Sequence, residues 1–100
     1  FMFIAINRIF VKDEFKKEWE ERFKRRKRLV EKKKGFRKME VLKPLEGNDY
    51  LVVTYWETKE DFLNWVNSED FKEAHKDSPP SEFFLKQNEF SIYELLYESG

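Results

Sequence analysis

The chain has 100 residues, 40% of them hydrophobic and 40% charged, with 20 Lys or Arg against 20 Asp or Glu and a formal net charge of zero. That length fits one small domain over residues 1–100, and the charge balance gives no global field toward nucleic acid or an anionic membrane. Cysteine is absent, which excludes disulfides, thiolate zinc sites and cysteine nucleophiles and is compatible with a reducing, cytoplasmic compartment.

The opening "FMFIAINRIFV" is nearly continuous in apolar, β-branched and aromatic residues, the pattern of a strand buried on both faces. It lacks a basic leader and a small-residue cleavage site, so it reads as a strand and not as a signal peptide. Phe3, Ala5, Asn7 and Ile9 share one face, which sets Asn7 in an otherwise apolar row. No run of about 18 apolar residues occurs, so no membrane-spanning helix is expected.

"KDEFKKEWEERFKRRKRLVEKKKG" places Phe15, Trp19, Phe23 and Val30 at helical spacing, with acids early, bases late and Gly35 as the stop, which predicts one long helix. "FRKMEVLKP" and "YLVVTYWET" flank the turn residues Gly47, Asn48 and Asp49 and predict a hairpin. Thr58 and Asp61 fit a capping box for a helix through Phe62 and Trp65, and Ser68 opens a second helix toward His75. The two prolines of "KDSPPSEF" make a loop, and "EFSIYELLYE" supplies the last strand.

Strand, helix, strand, strand, helix, strand is the ferredoxin-like α+β order, with both helices on one face of the sheet. The strands carry apolar residues on both faces: Leu51, Val53 and Tyr55 against Val52, Thr54 and Trp56, and Ile92 and Leu96 against Tyr93 and Leu95. The helices cover only one set, so a homodimer is expected in which two sheets close on each other as an α+β barrel. The aromatic load of 18%, with 11 Phe, suits such an interface. The Lys- and Glu-rich surface resembles the ion-pair strategy of thermostable proteins.

His75 is the only histidine; a lone imidazole serves as a general base, as a heme axial ligand or as an ordinary surface residue. Sites that need two or three histidines are unavailable in one chain. Trp65 precedes the Ser68 break, where its indole either packs the core or lines the pocket that His75 enters. Asn7 costs on the order of 1–3 kcal/mol on its apolar row unless its amide is hydrogen-bonded, to a backbone group or to a ligand. The basic runs "KRRKR" at 24–28 and "KKK" at 32–34 read as the solvated face of the first helix, offset by glutamates of the same helix. No phosphate-binding glycine loop, Ser-His-Asp pattern or RNA-binding aromatic motif is present.

Together "MFIAINRIFV", "GFRKMEVLKP" and "VVTYWETKEDFLNWVNSEDFKEAH" resemble the antibiotic biosynthesis monooxygenase superfamily of dimeric α+β barrels over nearly the whole chain. Within it, the heme-degrading monooxygenases of the IsdG and Hmo type carry an Asn on the first strand, a Trp on a middle helix and a His shortly after, which match Asn7, Trp65 and His75. The resemblance implies heme as both substrate and cofactor, with His75 as the axial ligand to the heme iron, Asn7 donating a hydrogen bond on the open face and Trp65 pressing the porphyrin out of plane. It also implies dioxygen and an external electron donor, such as a reductase, as co-reactants, with iron and a linear tetrapyrrole released. Lys72, Lys76, Arg22 and Arg26 are candidates for the propionates, and spacing does not choose among them. The alternatives are a cofactor-independent monooxygenase acting on an aromatic substrate, a non-catalytic heme carrier, and an interaction module whose cavity its own Phe side chains fill.

Overall fold

Alternation of β-formers at the two ends and middle of the chain yields four strands: β1 (Phe3–Phe10), β2 (Phe36–Leu42), β3 (Asp49–Trp56) and β4 (Glu89–Glu94). The computed structural model describes residues 2–100; Phe1, which the sequence reading put in the first strand, lies outside them. The strands form one antiparallel sheet in the order β2-β3-β1-β4, and with α1 (Lys16–Lys24), α2 (Lys59–Val66) and α3 (Glu69–Ala74) they give the ferredoxin-like α+β fold. No helix among the described residues is long and apolar enough to cross a membrane.

Register decides which side chains meet. Phe3, Ala5, Asn7 and Ile9 of β1 lie opposite Trp56, Thr54, Val52 and Tyr50 of β3, so these rows share one face. The helices cover that face in two separate clusters. One gathers Ala5, Val30 and Trp56 with Phe62 and Trp65 of α2; the other gathers Ile9, Val11, Tyr50 and Phe83 with Trp19 of α1. Asn7 sits on its row between Ala5 and Ile9, at the gap between the two cores. The opposite face carries Ile4, Ile6, Leu51, Val53 and Tyr55 and has no helix over it, and the exposed Leu42 and Tyr93 extend it.

The two later helices begin where the caps were read: Thr58 Oγ1 accepts from the Asp61 amide at 3.0 Å and Ser68 Oγ from the Phe71 amide at 3.1 Å. The first helix is shorter than its periodicity predicts. It ends at Lys24, and the chain then runs irregularly into a 3-10 turn at Leu29–Lys32. The reason is the divided core: Trp19 packs in one cluster and Val30 in the other, so the chain leaves the helix to cross between them. Gly35 therefore does not stop a helix; it precedes β2 with φ +82 and accepts from the Glu57 amide at 2.8 Å. From Arg25 onward the basic runs correspondingly lie beyond α1 and not on its solvated face. The last strand ends at Glu94, shorter than read, with one further backbone bond from Leu95 to Met2 at 2.8 Å. The proline-containing loop ends in a short 3-10 turn that buries Phe83.

Candidate active site

A cavity of about 580 Å³ occupies the gap between the two cores, within the range of about 300–1,000 Å³ usual for small-molecule and cofactor sites. Its floor is the sheet, through Asn7, Val52, Thr54, Met39 and Phe90; its walls are Phe23 on α1, Phe62 and Trp65 on α2, and Phe71 and His75 at α3. The structure thus brings Asn7, Trp65 and His75 to one cavity. A smaller cavity of about 330 Å³ near Phe3, Glu57 and Tyr93 holds none of them.

His75 is the C-cap of α3 and is exposed at the mouth. Its Nδ1 lies 2.8 Å from the Phe71 carbonyl oxygen. A carbonyl only accepts, so Nδ1 carries the proton and donates, and the neutral ring keeps its lone pair on Nε2. Nε2 has no hydrogen-bond partner among the described residues. This is the arrangement in which a histidine serves as a metal ligand through the free nitrogen while the other is held by a carbonyl.

Trp65 is buried at 7% exposure and meets the Phe71 ring edge-on at 5.4 Å and 79°. Phe71 in turn stacks on His75 at 4.1 Å and 31°. The indole is thus wedged, and a flat ligand entering the cavity meets a wall with little freedom to yield. The Asn7 side chain is half-buried and makes no hydrogen bond to another described residue, so neither a backbone group nor a neighbouring side chain uses its amide.

Spacing could not rank the basic candidates, and geometry does. Lys72 pairs with Glu69 at 3.6 Å and Arg22 lies over Phe83 at 5.6 Å, in the far core, whereas Arg26 lines the cavity. Its guanidinium stacks on Phe23 at 4.5 Å, and its Nε is buried without a hydrogen-bond partner. Burial pulls its pKa below the ordinary arginine value, against the opposing pull of Glu31. A desolvated cation with an orphaned donor is a seat for an anionic group. Phe71 was missed in the sequence; its spacing of four from His75 was the available signal, since residues four apart share a helix face.

The chain is thus a small ferredoxin-like α+β protein whose sheet and helices enclose one aromatic-lined cavity with an unpartnered imidazole nitrogen and a partly buried arginine at its lining. Residues 2–77 match the family model described as antibiotic biosynthesis monooxygenase, and the chain belongs to that family. A relative from Staphylococcus epidermidis named "Heme oxygenase (staphylobilin-producing)" is 42% identical over 85 residues, covering 81% of this chain and 80% of the relative. A relative of the same name from Staphylococcus haemolyticus is 42% identical over 78 residues, covering 75% and 74%. Among solved structures, the heme-degrader MhuD from Mycobacterium tuberculosis with two hemes bound in its active site superposes with a TM-score of 0.80 at 30% identity, covering 98% of this chain and 99% of that one.

Proposed function

We propose that this protein is a heme-degrading monooxygenase that binds heme in the cavity beneath its helices and opens the macrocycle, with dioxygen and an external electron donor as co-reactants. One observation carries the reading: Asn7, Trp65 and His75, from a strand and two helix regions far apart in sequence, line the same ligand-sized cavity. The kinship with heme oxygenases and with a heme-bound heme degrader supports it.

The residues fit the group. Phe23, Phe62, Trp65, Phe71 and Phe90 offer apolar surface to a flat macrocycle, the His75 Nε2 lone pair suits iron, and the Arg26 cation suits a propionate carboxylate. When bound, heme supplies both the iron that takes up dioxygen and the carbon skeleton that is oxidised. His75 would hold the iron through Nε2, and Arg26 would pair with a propionate carboxylate. Trp65, braced by Phe71, would set the wall against which the macrocycle packs, and Asn7 would offer its amide N–H as a donor to a polar group at the iron. Iron and a linear tetrapyrrole are the products.

The working unit is a homodimer. The uncovered sheet face, with Leu42 at 48% and Tyr93 at 53% exposure in the single chain, is the apolar surface that a second copy covers, giving the barrel; sedimentation at micromolar concentration yields twice the chain mass, and a monomer there would remove this part of the reading.

Hemin titration tests the site. Wild type gives a saturable shift of the Soret band, His75→Ala loses that shift while keeping its thermal melt, and added ascorbate bleaches the wild-type complex alone. Equal spectra for wild type and His75→Ala would remove the axial-ligand assignment.

A further inference from the structure

The basic run beyond α1 has no part in the cavity chemistry except through Arg26. Residues 24–34 hold eight Lys or Arg and one Glu, a formal +7. Since the whole chain sums to zero, the rest carries −7, and positive charge is concentrated in this segment. The segment reaches the cavity through Arg26, Lys27 and Val30. It is tied to α3, across the mouth, by Lys27–Glu73 at 2.5 Å and Lys33–Asp70 at 2.8 Å. The positive pole therefore lies at the cavity's entrance. Lys24, Arg25, Lys32 and Lys34 are exposed and take part in none of the ion pairs among the described residues.

Magnitude separates a substrate role from a partner role. On the α3 side, residues 69–77 hold four acids and two lysines, a formal −2, which leaves about +5 around the mouth. A ligand with two propionates cancels two of these. About three positive charges remain, on exposed flexible side chains, and a pole of that size attracts a second anionic partner. A long polyanion such as nucleic acid, or an anionic bilayer, would also confront the rest of the molecule, formally −5. A protein with a compact acidic patch meets the collar alone.

We propose that this collar docks the acidic face of an electron-donor protein, a reduced flavoprotein or iron–sulfur protein, beside the cavity mouth. The inference rests on the heme reading, because that reaction requires electrons from outside. In each encounter one electron leaves the donor's reduced cofactor, which is oxidised, and the ferric iron of bound heme becomes ferrous. Lys24, Arg25, Lys32 and Lys34 guide and hold the partner beside the cavity that Arg26 and His75 line.

The test titrates an acidic flavodoxin, as probe, into wild type and into the combined Lys24→Gln, Arg25→Gln, Lys32→Gln, Lys34→Gln variant. Each is measured by calorimetry with and without hemin, from about 0.02 M to about 0.5 M salt. Wild type binds the flavodoxin at low salt and releases it at high salt. The variant binds at least about tenfold more weakly at low salt, with an unchanged hemin Soret titration. Equal affinities of wild type and variant, or tighter binding of a single-stranded oligonucleotide or of phosphatidylglycerol vesicles than of flavodoxin, would overturn the proposal. Flavodoxin docking without hemin binding would remove the heme reading and leave the collar; hemin binding without docking would remove the collar and leave the heme reading.

Discussion

The Nδ1 of His75 faces the carbonyl oxygen of Phe71 at 2.8 Å, and the ring of the same Phe71 stacks on the imidazole at 4.1 Å. One residue thus sets both the tautomer, through its backbone, and the ring plane, through its side chain. Phe71→Leu separates the two, because it keeps the carbonyl and removes the stack. A stacked aromatic pair contributes about 0.5–1.5 kcal/mol, so hemin affinity is expected to fall about three- to tenfold while the spectrum of a histidine complex persists. Soret titration of the variant measures this; an affinity equal to wild type would show the ring to be idle.

Asn7 combines a structural cost with a chemical use. Its amide lacks a partner among the described residues, on a row between Ala5 and Ile9, which are 2% and 8% exposed. An amide that bonds no neighbour adds no hydrogen bond to the fold, whereas a β-branched apolar side chain suits a strand row between buried apolar residues. Asn7→Val is expected to raise the melting temperature by a few degrees, about 4–8 °C per kcal/mol for a domain of this size. Ascorbate-driven bleaching of the hemin complex should fall about a hundredfold, the usual effect of losing one oriented donor. A variant that is both less stable and equally active would refute the assignment on both counts.

The difference between what the sequence showed and what it hid is physical. The strands were legible because β1 and β3 are nearly continuous runs of apolar, β-branched and aromatic residues, and the caps because Thr58 and Ser68 carry their oxygen where the first free amides fall. Asn7 stood out as a polar residue on an apolar row. The end of α1 was not legible: Val30 falls in helical phase with Phe23, and only the division of the core, a tertiary fact, explains why the helix stops at Lys24. The choice of Arg26 was hidden for the same reason, since orphaning of its Nε depends on packing against Phe23 and Met39. The ring stack of Phe71 on His75 likewise needs side-chain geometry that spacing does not give.

Gly35 is a position where only glycine fits. Its φ of +82 lies in the left-handed region, and a Cβ built there meets Asp61 Oδ2 at 2.1 Å. Asp61 is buried at 7% exposure on α2 and cannot withdraw without moving the helix that carries Trp65. The conformation alone costs an L-residue about 1–2 kcal/mol, and with the clash Gly35→Ala should destabilise by about 2–4 kcal/mol. Denaturant melts of Gly35→Ala, Asp61→Gly and the double variant form a cycle, since the Asp61 Cβ itself lies 2.6 Å from the added Cβ. The steric part should vanish in the double variant and the conformational part should remain; full additivity would show that the two residues do not collide.

The Tyr50 hydroxyl donates to the Glu20 carboxylate, joining β3 to α1 beneath the second core. Burial first, and then the bond to Glu20, push the Tyr50 pKa up from its ordinary value; the same bond, helped by Lys43 at 3.2 Å, holds Glu20 below its own. Glu20 therefore contributes stability above its unfolded value of about 4.3 and loses it as pH falls through its lower folded value. Tyr50 contributes fully below its unfolded value of about 10 and loses that contribution as pH rises toward its higher folded value. The bond is intact between these limits. Tyr50→Phe keeps the ring packing against Trp19 at 4.5 Å and should cost about 1 kcal/mol at neutral pH. Its stability should also change less than that of wild type on acidification below about pH 4 and on alkalinisation above about pH 10, with a residual acid dependence from Lys43. Urea titrations of both proteins at acid, neutral and alkaline pH decide it: parallel pH profiles would mean that the hydroxyl and the carboxylate are not coupled.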